Sequence, residues 1–225
     1  MSVSPQSRVK RSHAQARAAY NAMSKFYDLM AGSTEWKYKQ IGMDDLAICV
    51  GETVLEIGTG TGQCLPVLSR AAAENGLICG MDLSEGMLSV AQKRLQKING
   101  LPYIPLQCAD ALRLPYRGAA FDALFISFTL ELFDTPEIQW VLAECRRVLK
   151  PTGRLCVVAM SKQQHVTGME MLYEWMHKHF EAYSDCRPIF LQDALQAAGF
   201  SIQTEKRFRM FGLPVDVVLA VNQWV

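Results

Sequence analysis

Residues 54–62 read VLEIGTGTG: an apolar run carrying one acid, Glu56, then Gly58, Gly60 and Gly62 at alternate positions. Glycine at every second place lets the backbone come close to a ligand, because no Cβ stands in the way. Two more carboxylates follow apolar runs. Asp82 comes directly after LICGM, and Asp110 follows YIPLQ within QCADALRLPY. A carboxylate placed like Asp82 can accept both hydroxyls of a ribose, through charge-assisted hydrogen bonds worth about 1.5–3 kcal/mol each when dry. A short acid placed like Asp110 can accept from an exocyclic amine such as that of adenine. The plainer alternatives are a helix N-cap at Asp82, which Ser84 could supply alone, and a turn aspartate at Asp110.

The glycines do not make a dinucleotide fingerprint. G-x-G-x-x-G would need glycine where Gln63 stands, and no Lys-Ser or Lys-Thr follows to make a phosphate loop. The turn brings backbone to a ligand without being specialised for a pyrophosphate.

These groups must be positioned by 225 residues that are 50% hydrophobic and 20% charged, enough for one filled core. A net charge of +1 sets up no global field that would gather nucleic acid. The seven cysteines are scattered without a C-x-x-C pair, so they read as free thiols in a reducing compartment, with neither a disulfide framework nor a metal site. No apolar run approaches the roughly 18–20 residues of a membrane span. Arg8, Lys10, Arg11, Arg17 and Lys25 precede the first acid, Asp28, but no apolar signal core follows them. A cytoplasmic protein is expected, and the basic first helix leaves peripheral contact with an anionic membrane open.

Residues 1–12 read as a disordered tail, 13–48 as a helical cap and 49–225 as the core. The cap has helical patterns over about His13–Met30 and Trp36–Ile48. Strands are expected at 53–57, 77–81, 103–107, 121–127 and 154–160, with helices near 63–73, 85–97, 111–113 and 136–149. A helix-rich segment at about 163–187 faces the substrate side. PIFLQDALQAAGF then reads as a helix stopped by Gly199, and SIQTEKRF and PVDVVLAVN as a closing hairpin. Continuous apolar strands alternating with helices predict an α/β, Rossmann-like, doubly wound sheet. In such sheets ligands sit beyond the carboxyl ends of the strands, where the three acids and the glycines would meet.

VLEIGTGTG, GMDLSEGML, ADALRLPY, FDALFISFTLELFD and RRVLKPTGRLCVV resemble, in order and spacing, the motifs of class I S-adenosylmethionine-dependent methyltransferases, over about residues 50–160. AYNAMSKFYDLM is similar to the first helix of the ubiquinone/menaquinone-biosynthesis C-methyltransferase group. The resemblance implies a seven-stranded sheet whose last hairpin inserts one strand antiparallel. It implies S-adenosylmethionine as cofactor, with Gly58, Thr59 and Gly60 under its methionine part and Asp82 on the ribose. Leu83 and Met87 would pack on the adenine, and Asp110 and Ala111 would meet its amine. Ser127 would face the sulfonium and the substrate, and Tyr27 would close over them. A sulfonium is cationic, so an aromatic face such as that of Tyr27 suits it, while Glu56 would organise the glycine turn or meet the cofactor's ammonium.

Methyl transfer needs alignment above all, so no obvious catalytic residue has to be present. Glu131 in SFTLELFD and His165 in SKQQHV could act as bases. Tyr20, Tyr27, Glu131 and Arg187 could meet the acceptor. Abundant aromatic and Met residues in the cap and in 163–183 predict a small lipophilic or aromatic acceptor, quinol-like in one version, methylated on carbon or oxygen. N-methylation of a phospholipid head group, S-methylation of a thiol, and a cofactor-binding scaffold without turnover stay open.

Overall fold

The computed structural model describes residues 9, 11–30, 32–73, 75–162 and 187–222. Helices α1 (His13–Met23), α2 (Tyr27–Met30) and α3 (Gly32–Leu46) precede the sheet. There follow β1 (Thr53–Ile57), α4 (Leu65–Ala72), β2 (Leu77–Asp82), α5 (Glu85–Leu95), β3 (Leu106–Cys108), β4 (Phe121–Ser127), a 3-10 turn (Leu130–Leu132), α6 (Thr135–Val148) and β5 (Leu149–Met160). After residue 186 come α7 (Leu191–Ala197), β6 (Phe200–Met210) and β7 (Leu213–Asn222).

The strand order is β3-β2-β1-β4-β5-β7-β6. The first five strands run parallel, and β7 is antiparallel to both β5 and β6, as the resemblance implies. Side-chain alternation splits the core into two layers. Leu55, Ile57, Leu124, Ile126, Leu155 and Val157 pack on one face under α6 and α7. Val54, Ala123, Phe125, Cys156 and Val158 pack on the other, with Leu46 of α3 and Leu65 and Leu68 of α4. The order reverses between β1 and β4, which opens a crevice at their carboxyl ends.

Local chemistry sets the boundaries. Ser12 and Gln15 form a capping box at α1, Ser84 caps α5 through the Met87 N–H, and Asp134 and Glu137 box the start of α6. The hairpin turns on Phe211 and Gly212, both at positive φ (51° and 82°), which suits the twist of the paired strands.

The structure departs from expectation in several places. The first helical pattern divides at Ser24, whose hydroxyl donates to the Asn21 carbonyl, so α1 and α2 are separate. Strand β3 covers only Leu106–Cys108. Residues 111–113 make a turn closed by Arg113 N–H to Asp110 O, because the Asp110 carboxylate holds the Leu112 N–H in a local turn. Strand β5 begins at Leu149, earlier than expected, with an irregular pairing to β4 before Arg154. The expected segment at 163–187 lies, save for Arg187, outside the described residues. Among the described residues no helix is long and apolar enough to cross a membrane, and Cys49, Cys64, Cys79, Cys108, Cys145 and Cys156 are free thiols.

Candidate functional site

All three turn glycines adopt positive φ (73°, 54° and 75°), and each meets a different need. A Cβ on Gly58 would lie 2.2 Å from the Thr129 hydroxyl, and one on Gly62 would lie 2.9 Å from Ala91 of α5. A Cβ on Gly60 would meet nothing within 4 Å. The outer glycines therefore make room for protein, and the middle one faces open space in the crevice. The Gly58 and Thr59 N–H groups both donate to the Met81 carbonyl (2.8 and 2.9 Å), which pins the turn to the end of β2.

Asp82, at that end, accepts from Gly60 N–H and Ser84 N–H, each at 2.8 Å. Burial raises its carboxyl pKa, and these N–H donors pull it back. Ser84 performs the helix capping, so the two bonds of Asp82 serve instead to join the glycine turn to the start of α5 at the crevice. Glu56 is 2% exposed and accepts from the Thr59 hydroxyl at 2.7 Å. Burial pushes its pKa up to about 7, against the Thr59 hydrogen bond and the charge of Lys39.

Asp110, after β3, accepts from Leu112 N–H at 3.0 Å and faces His13 Nδ1 at 2.5 Å. His13 Nε2 faces Glu137 at 3.1 Å. Burial opposes the imidazolium, but the Asp110 and Glu137 carboxylates outweigh it and raise the His13 pKa above 6.5. The cap is tied down at other points as well. Val9 N–H donates to Asp134, and the Asn21 side-chain oxygen Oδ1 accepts from Ser84 Oγ and Gly86 N–H. Asp28 accepts from Thr61 Oγ1 (2.5 Å) and Gln63 Nε2 (3.0 Å) and pairs with Arg94. The Tyr20 and Tyr27 rings lie 6.3 Å apart over the same crevice.

One pocket therefore gathers Tyr20, Tyr27, Glu56, Gly58, Thr59, Gly60, Asp82, Leu83, Met87, Asp110, Ala111 and Ser127. Its donor set suits a nucleoside carrying an amino acid: acids at the ends of β2 and β3, backbone and a carboxylate at the end of β1. The open space above Gly60 leaves room for the close backbone approach such a ligand would need.

Other expected residues stand elsewhere. Glu131 does not line the pocket. It is fully buried, and Oε1 accepts from Met160 N–H at 3.1 Å. The 3-10 turn aims it at β5, so its placement does not carry the expected contact with the acceptor. Arg187 is 1% exposed and donates from Nη2 to the backbone carbonyl of Phe133, a pocket-lining residue, at 2.7 Å. His165 lies outside the described residues. His13, Asp28, Lys39, Thr61 and Glu137 went unforeseen. The i, i+4 spacing of Glu35 and Lys39 on α3 was a visible signal, whereas His13 meets partners 97 and 124 positions away.

The buried Glu131 carries a testable sign. Burial pushes its carboxyl from 4.5 to about 8, so the native state holds this proton more tightly than the unfolded chain. Stability is consequently lost as pH rises from 4.5 towards 8. Glu131→Gln keeps an acceptor for Met160 N–H and cannot ionise. Urea unfolding at about pH 5 and pH 9 is expected to show the variant gaining on the wild type at the higher pH. A constant difference would mean that Glu131 is charged in the native state throughout.

The profile of the ubiE/COQ5 methyltransferase family matches residues 1–187. A demethylmenaquinone methyltransferase of Oceanobacillus iheyensis is 29% identical over 174 residues, 77% of this chain and 71% of the relative. The ubiquinone/menaquinone biosynthesis C-methyltransferase UbiE of Escherichia fergusonii is 32% identical over 157 residues, 70% of this chain. The match spans only 59% of that relative's length. Among solved structures, a SAM-dependent methyltransferase from Aquifex aeolicus superposes with a TM-score of 0.65 at 22% identity, covering 90% of this chain and 98% of the other. The [4+2]-cyclase SpnF superposes with a TM-score of 0.75 at 18% identity, covering 96% and 98%. These two likenesses fix the fold, which serves a cyclase as well as methyltransferases; the family profile decides the chemistry. The chain belongs to the ubiE/COQ5 methyltransferase family and is an S-adenosylmethionine-dependent methyltransferase.

Proposed function

We propose that this enzyme methylates a ring carbon of a small, lipophilic, quinol-like acceptor. The observation that carries the reading is the family match, together with relatives named for demethylmenaquinone methylation and for C-methylation in quinone biosynthesis. The pocket agrees with it: Tyr20, Tyr27, Phe128 and Phe133 give the crevice aromatic walls suited to a flat ring. When bound, the cofactor supplies an electrophilic methyl group and its own leaving group.

The chain's own task is alignment, which can be worth effective molarities of about 10⁵–10⁸ M. Asp82 would hold the ribose and Asp110 with Ala111 the adenine amine. Leu83 and Met87 would pack on the base. Gly58, Thr59 and Gly60 would carry the amino-acid end beside Glu56, and Ser127 with Tyr27 would border the reacting methyl. The strapped cap would exclude water from this end of the crevice.

The test is product analysis. Protein and methyl-labelled S-adenosylmethionine are offered a demethylmenaquinol analogue kept reduced, a catechol, an alkyl thiol and phosphatidylethanolamine vesicles. Label on a ring carbon of the quinol is the expected result. Label on oxygen, on sulfur or on the head-group amine would replace the proposal with that chemistry.

A further inference from the structure

The amino-acid end of S-adenosylmethionine is a zwitterion, and its carboxylate needs a cation. Among the described residues, the basic side chains lining the pocket are Arg11, His13 and Lys39. His13 is held between Asp110 and Glu137, at the third strand end. Arg11 lies over the Tyr20 ring, 5.5 Å from its centroid. Lys39 stands at the opposite end, where its charge acts on Glu56 and Cys64, the residues flanking the glycine turn.

Its setting is that of a held charge and not of a surface lysine. Lys39 is 9% exposed, pairs with Glu35 at 2.8 Å, and carries its ammonium 5.8 Å from the Phe128 ring centroid. Burial would discharge such an amine, but Glu35, Cys64 and Glu56 together outweigh it and raise the Lys39 pKa, which keeps the proton on. An ammonium has three donors. Glu35 faces it as an ion pair at 2.8 Å, and Lys39 still borders the pocket, so donor capacity remains for a ligand anion.

We propose that Lys39, braced by Glu35, binds the carboxylate of the cofactor, while Glu56 across the glycine turn receives its ammonium. The proposal rests on the cofactor of the family and adds to it a residue that reads the amino-acid end. Lys39 thereby separates the cofactor from adenosine compounds that lack a carboxylate.

The experiment is calorimetric titration of the full chain with S-adenosylmethionine and with decarboxylated S-adenosylmethionine, which lacks only that group. Lys39→Gln alone would leave Glu35 buried without its partner, so Glu35→Gln/Lys39→Gln is compared beside it as a neutral, hydrogen-bonding pair. Wild type is expected to favour the carboxylate ligand by roughly 10- to 100-fold, the range of one charge-assisted hydrogen bond. The double variant is expected to lose that preference while binding the decarboxylated ligand within about twofold of wild type. Equal losses for both ligands would make Lys39 purely structural and overturn the proposal, as would an unchanged preference. A wild type that bound neither ligand would overturn the cofactor assignment and this proposal with it.

Discussion

Replacing Asp82 by alanine is expected to weaken S-adenosylmethionine binding by at least about tenfold, because two losses act together. The first is the acceptor for the ribose, where each charge-assisted hydrogen bond is worth about 1.5–3 kcal/mol. The second is internal to the protein. Asp82 Oδ2 receives the Gly60 N–H and Oδ1 the Ser84 N–H, so one side chain fixes both the floor of the cradle and the start of α5. Without it, two partly buried donors lose their acceptor, and the glycine turn is left tied to β2 only through the Gly58 and Thr59 N–H groups on the Met81 carbonyl. Asp82→Asn separates the effects, since an amide oxygen can keep one N–H partner while its NH2 opposes the other. Calorimetric titration of wild type, Asn and Ala variants is expected to give binding in that descending order, with far-UV circular dichroism unchanged. Wild-type affinity in the alanine variant would remove Asp82 from the cofactor site.

The parts of this site that the sequence made legible share one property: they lie at strand ends. In a parallel sheet the carboxyl ends of successive strands come together whatever the loops do. VLEIGTGTG, the acid after LICGM and the acid after YIPLQ therefore had to converge once the βαβ pattern was recognised. The cap was legible as helix but not as a strap. Nothing local in His13 or Asp28 announces Asp110, Glu137, Thr61 or Arg94 as partners, because those contacts arise only when α1 and α2 lie across the crevice. Glu131 shows the opposite failure. Its place after β4 suggested contact with the acceptor, but a 3-10 turn has three residues per turn, and here the rotation carries the side chain into the sheet. Strand β3 came out shorter than its apolar run because Tyr103 stands exposed ahead of the pairing, and the sheet contact there begins with the Pro105 carbonyl.

The middle glycine offers the sharpest test of the cradle. Gly60→Val is expected to abolish S-adenosylmethionine binding, a loss of about 100-fold or more, while leaving the fold intact. A valine at Gly58 would collide with Thr129 and would confuse loss of binding with loss of structure. At Gly60 a new Cβ meets no protein atom within 4 Å, so its branches occupy the space left for ligand. The cost to the protein itself is conformational. A φ of 54° is unfavourable for a β-branched residue, by roughly 1–2 kcal/mol or somewhat more. That strain lowers the melting temperature by some degrees without unfolding a domain whose two core layers are untouched. Gly60→Ala supplies the comparison, since it imposes most of the same backbone strain with far less bulk. If strain alone mattered, alanine and valine would lose affinity together. If occupancy matters, valine loses far more than alanine, and both keep the native circular dichroism spectrum. Undiminished binding by the valine variant would mean that this glycine does not face the cofactor, and the reading of the turn as a backbone cradle would fall with it.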